Sequence, residues 1–116
     1  MSERGASAPY LIPMTEAQFQ RTVTELAEYN GWSWLHIERM GNSEGRWRTP
    51  TSGPLGKGFP DLLMVKGAQV IFVELKGQRG LLTEAQRALI SGPLLDQRSY
   101  VWRPDDWSEI VRVLSE

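Results

Sequence analysis

The feature that most constrains this 116-residue chain is a pair of apolar runs, 62–65 and 70–73, separated by Lys66-Gly67-Ala68-Gln69. Two strand-forming runs joined by a two-residue link with glycine in its first place predict an antiparallel hairpin. The hairpin fixes a register. With Lys66 facing Gln69, Val65 meets Val70, Leu63 meets Phe72, and Asp61 falls opposite Glu74. Opposed side chains have Cβ atoms about 4.5–5.5 Å apart, and like charges placed so destabilise a sheet. A divalent cation held by hard carboxylate oxygens offsets that repulsion. Lys76, two residues past Glu74, projects from the same face and completes a cluster of three. On this reasoning Asp61→Asn and Glu74→Gln are expected to match or exceed the parent's stability in metal-free buffer.

Pro60-Asp61 followed by Glu74-Leu75-Lys76 resembles the P-D…(D/E)-X-K signature of restriction-endonuclease-like nucleases. The fuller string is similar to the VRR-NUC family, in its compact, stand-alone, virus-type form: Gly58-Phe59-Pro60-Asp61-Leu62, a hairpin, Glu74-Leu75-Lys76, then a helix carrying Gln86. The C-terminal Trp102-Arg103-Pro104 with Trp107 also resembles that family's end. The resemblance implies an α/β fold, a restriction-endonuclease-like mixed β-sheet flanked by helices. It implies a Mg²⁺-dependent DNA endonuclease, with Mn²⁺ able to substitute. Asp61 and Glu74 are then metal ligands, the Leu75 carbonyl a third, and Lys76 the group that orients the attacking water. Glu16 and Gln20, on the first helix, would stand near the metal, Glu16 as a further ligand, and Gln86 would join the catalytic cluster.

One domain is all the chain has length for, 14–116, preceded by a polar, proline-punctuated arm at 1–13. An apolar share of 41% and a charged share of 23% are those of a folded domain, not a disordered one. Without cysteine there is no disulfide, no thiolate metal site and no cysteine nucleophile. The absence of a signal peptide or long apolar run points to the cytoplasm, that of a bacterial host cell if the protein is viral, with no membrane partner. A formal net charge of −1 gives no overall attraction to nucleic acid, so DNA contacts must come from a local basic patch. The single His36 rules out a Ser/His/Asp triad with any support, and no glycine-rich loop offers a nucleotide cofactor a seat.

The remaining elements follow in the order α-β-β-β-α-β-α. Thr15 and Gln18 have the spacing of a capping box, after which Phe19, Val23, Leu26 and Ala27 form an apolar stripe that stops at Asn30-Gly31. Glu16 in the first turn also suits the helix dipole. A strand is expected over 32–38, with Trp32, Trp34 and His36 on one face. A lone histidine is ordinarily packed or hydrogen-bonded, and His36 is a peripheral candidate beside the scissile phosphate. The stretch 39–57 lacks periodicity and reads as a long basic loop, in which Arg39, Arg46, Trp47, Arg48 and Lys57, with Gln20 nearby, are candidates for DNA contact. The same stretch can equally be a solvated connection. Thr83 and Gln86 repeat the capping box, so capping competes with any functional role for Gln86. Gly92-Pro93 interrupts the helix that follows. A last strand surrounds Tyr100-Val101-Trp102, and Trp107, Ile110, Val111 and Leu114 predict a closing amphipathic helix.

Branched or four-way DNA is the substrate this resemblance suggests, as for a Holliday-junction resolvase. A junction with two-fold symmetry would suit a homodimer, and Trp102, Trp107 and the apolar face after Leu89 look surplus to a small core. The alternative reading is a noncatalytic DNA-binding or assembly protein that retains the nuclease fold.

Overall fold

The computed structural model of the protein describes residues 14–37, 40–41, 47–48 and 55–116. Helix α1 (Glu16–Tyr29) opens with the expected reciprocal cap: Thr15 Oγ1 accepts from Gln18 N at 3.0 Å, and Gln18 Oε1 accepts from Thr15 N at 2.8 Å. Its buried stripe is Phe19, Val23, Thr24 and Ala27. Thr24 is tolerated there because its hydroxyl donates to the Arg21 carbonyl at 3.2 Å. Strand β1 (Ser33–His36) is shorter than the expected 32–38. Trp32 leaves the strand and buries its ring in the core, where Nε1 donates to the Leu114 carbonyl at 2.9 Å. A buried indole N–H needs such a partner.

Two short strands, β2 (Met40–Gly41) and β3 (Trp47–Arg48), pair antiparallel inside the stretch expected to lack structure. A ladder of two residue pairs is too short for alternation to show in sequence. Strands β4 (Leu62–Lys66) and β5 (Gln69–Leu75) then form the hairpin in the computed register, from Lys66↔Gln69 through Leu62↔Val73. Gly67 has φ +59° while Ala68, the second turn residue, does not have positive φ, which is the signature of a type II′ turn. Helix α2 (Glu84–Ser91), strand β6 (Ser99–Trp102), a 3₁₀ turn (Pro104–Asp106) and helix α3 (Trp107–Leu114) complete the chain. Helix α2 ends where Gly92-Pro93 requires. The sheet order is β1-β4-β5-β6, antiparallel except for the parallel pair β5–β6. Among the described residues the protein is thus a mixed α/β fold with one four-stranded mixed sheet and three α-helices.

Side chains that share a register position share a face, so the sheet has two distinct sides. Leu62, Met64, Ile71, Val73, Leu75 and Trp102 project together and are buried with Phe19, Val23 and Ala27 of α1 and Ile110, Val113 and Leu114 of α3. The other side carries Asp61 and Glu74 at one end and the exposed Leu35, Val65 and Val70 toward the other. Helix α3 is turned slightly from the expected seam: Val113 faces inward and Val111 is exposed. The two tryptophans invoked for a dimer are used within this core. Trp102 is fully buried, and Trp107 packs half-buried against the same core. Among the described residues, no helix is long and apolar enough to cross a membrane.

The turn yields a prediction. A Cβ added at Gly67 meets nothing within 4 Å, so the cost of a substitution is backbone strain alone. Gly67→Ala should lose about 1–2 kcal/mol in urea denaturation with an unchanged slope, whereas Gly67→Asn, which tolerates left-handed φ, should lose less.

Candidate metal centre

The register that pairs Leu62 with Val73 brings Asp61 and Glu74 side by side just beyond the ladder. Their carboxylates are interlocked through the backbone. Glu74 Oε1 accepts from Asp61 N at 3.2 Å, while Asp61 Oδ2 accepts from Leu75 N at 3.0 Å. Each acid therefore holds the other's strand, and both are aimed by peptide groups rather than by flexible side chains. Glu74 is 2% exposed. Its second oxygen accepts from Gln86 Nε2 at 2.9 Å and lies 3.5 Å from the Lys76 ammonium, itself largely covered.

Gln86 resolves the competition between capping and site. Its Oε1 accepts from Thr83 N at 2.8 Å, which closes the cap of α2 and turns the amide so that Nε2 points at Glu74. One amide both closes the cap and holds the Glu74 carboxylate. The helix can come this close because of Gly58, where an added Cβ would lie 2.4 Å from the Ala85 carbonyl oxygen. No sequence signal beyond the glycine itself announces that approach.

Pro60 has a role that sequence reasoning missed although the register contained it. Extended by one pair, the ladder sets Pro60 opposite Leu75 at a position where the two residues would exchange hydrogen bonds. Proline has no N–H to give the Leu75 carbonyl. The Leu75 N–H points to Asp61, and the carbonyl of the same strand residue points to the same edge. Two carboxylates and one carbonyl left without a ladder donor are a set of hard oxygens at one strand end. They fit an ion such as Mg²⁺, which binds few protein oxygens and keeps several waters.

Glu16 does not join them as a third carboxylate. Its Oε2 accepts from Gly77 N at 3.3 Å, tying the start of α1 to the chain just past Lys76. Among the described residues, no three acidic or histidine side chains gather closely enough to form a metal cluster by themselves. Gln20 and His36 line a groove between α1 and β1, and Lys57 is exposed in the turn before Gly58. Arg39 and Arg46 lie outside the described residues, as do the side chains of Trp47 and Arg48. Comparison with models of known protein families, with curated proteins and with solved structures returns no match.

The hydrogen bonds correct the expectation that both amide variants are harmless to the fold. Glu74 accepts a donor on each oxygen, and a glutamine has only one acceptor, so Glu74→Gln sets N–H against N–H inside the protein. It should lose about 1–3 kcal/mol in metal-free urea denaturation. Asp61→Asn keeps an oxygen for Leu75 N, is only half-buried, and should lose less.

Proposed function

We propose that the chain is a Mg²⁺-dependent DNA endonuclease of the VRR-NUC type, with a restriction-endonuclease-like fold in its domain 14–116. The observation that carries this reading is the interlocked pair Asp61 and Glu74, with Lys76 at 3.5 Å and the Leu75 carbonyl at the same strand end. A protein that only bound DNA would gain nothing from aiming two carboxylates where a polyanion must approach.

Asp61, Glu74 and the Leu75 carbonyl would hold the metal. Bound there, Mg²⁺ supplies charge neutralisation at the phosphate and a water acidic enough to attack it; Mn²⁺ should substitute. The Lys76 ammonium carries three donors. It can keep Glu74 with one and offer another to the attacking water or to a phosphate oxygen as charge develops. Gln86 keeps the Glu74 carboxylate from turning away, and its own amide is held by the α2 cap. Glu16, whose Oε2 accepts from Gly77 N, would act on a ligated water rather than as a direct ligand.

Branched DNA, including four-way junctions, is the proposed substrate class, and a cytoplasmic setting follows from the same reading. If the enzyme cuts two strands as a homodimer, Leu35, Val65 and Val70 offer the apolar surface for it, because Trp102 and Trp107 are used within the chain.

The test is cleavage of end-labelled duplex, forked and four-way DNA with Mg²⁺ or with chelator. The parent should cut only with the ion, and Asp61→Asn should lower the rate roughly a hundredfold or more. Cleavage that survives the chelator, or an Asp61→Asn variant as fast as the parent, would refute the assignment.

A further inference from the structure

A second feature lies on the α1 side of the sheet and is not used by the proposed metal centre. Ala17, Gln20, Arg21 and Thr24 of α1 face Trp34 and His36 of β1 across a groove of about 500 Å³. That volume suits a base or a nucleoside, not a duplex. We infer that this groove receives an unpaired stretch of DNA leading to the scissile phosphate, with a base stacked on Trp34. The inference rests on the nuclease reading for its substrate, but not for the groove's chemistry.

Trp34 supplies the platform. Its Nε1 donates to Glu28 Oε2 at 2.9 Å, which fixes the ring, while the side chain remains 36% exposed in the groove wall. A ring held in place pays little entropy when a base stacks on it, and stacking ignores base identity because every base has a π-face. Arg21 lines the same groove, is exposed, and has no ion-pair partner among the described residues, so its guanidinium is available to a phosphate. Gln20 adds a polar side chain to the same lining.

Topology explains why the strand must be single. Among the described residues β1 is an edge strand of the sheet, so the groove runs along the sheet's border rather than across its middle. The groove lies on the α1 side, whereas Asp61 and Glu74 project from the opposite side. The two meet at the sheet's end: Ala17 follows Glu16, whose carboxylate holds Gly77, and Ile37 N donates to the Asp61 carbonyl at 2.9 Å. From Glu16 to Thr24 the helix advances about 12 Å. A flexible single strand can lie along that length and turn round the sheet's end to the carboxylates. A stiff duplex cannot bend on this scale.

The test is fluorescence anisotropy of the full chain with labelled oligothymidine, a blunt duplex and a fork with unpaired arms, all with chelator present. Oligothymidine and the fork should bind more tightly than the duplex. Trp34→Ala should weaken both by about fivefold or more, with duplex binding little changed, and Trp34→Phe should restore most of the loss. Arg21→Glu, at an exposed helix position, should also weaken both and flatten their salt dependence. Equal binding of duplex and oligothymidine, unaltered binding by Trp34→Ala and Arg21→Glu, or binding confined to a matched uridine oligomer would overturn the proposal. Because binding is read without metal, loss of the groove and failure of the Asp61 cleavage test are separate results.

Discussion

The exchange of hydrogen bonds between Asp61 and Glu74 is the constraint on which the site depends. Each carboxylate takes a backbone N–H from the neighbouring strand, so neither can move without loosening the other. The arrangement exists only in one register. A slip of a single residue would send Asp61 to the α1 side of the sheet and separate the pair. Gly67 guards against that slip, since its positive φ fixes the two-residue turn from which every pair is counted.

Around this pair the ladder is deliberately incomplete. Pro60 cannot donate to the Leu75 carbonyl, and Asp61 Oδ2 takes the Leu75 N–H that a regular strand would have claimed. The strand end is thereby converted from a hydrogen-bonded pair into a cluster of hard oxygens. Helix α2 completes it from the other direction. The cap that starts the helix and the amide that holds Glu74 are the same Gln86 side chain, brought within reach by the contact of Gly58 with Ala85. Fold and site share atoms here, so changes to the cap should be felt at the site.

Much of this was legible in the sequence because it is local. The hairpin register, both capping boxes and the end of α2 at Gly92-Pro93 depend on residues a few positions apart, and each took the expected form. What could not be read depends on tertiary approach. Trp102 and Trp107 looked surplus because a sequence does not show how much volume a core must fill. Gln86's cap and its contact with Glu74 coexist, which the sequence did not show because spacing says nothing of where a cap faces. Glu16 looked like a ligand, yet its carboxylate ends on Gly77 N, an outcome decided by how α1 crosses β5. Trp34 read as one of several strand aromatics; only the placement of α1 beside an edge strand made it the wall of a groove.

The most direct measurement of the central claim is anomalous diffraction from crystals of the protein soaked in Mn²⁺. The account predicts a peak bounded by the Asp61 and Glu74 carboxylates and the Leu75 carbonyl, at about 2.1 Å from each oxygen, with Lys76 and Gln86 still in contact with Glu74. A protein that holds no ion at this strand end, or holds it at other residues while Asp61 and Glu74 keep their present hydrogen bonds, would contradict it.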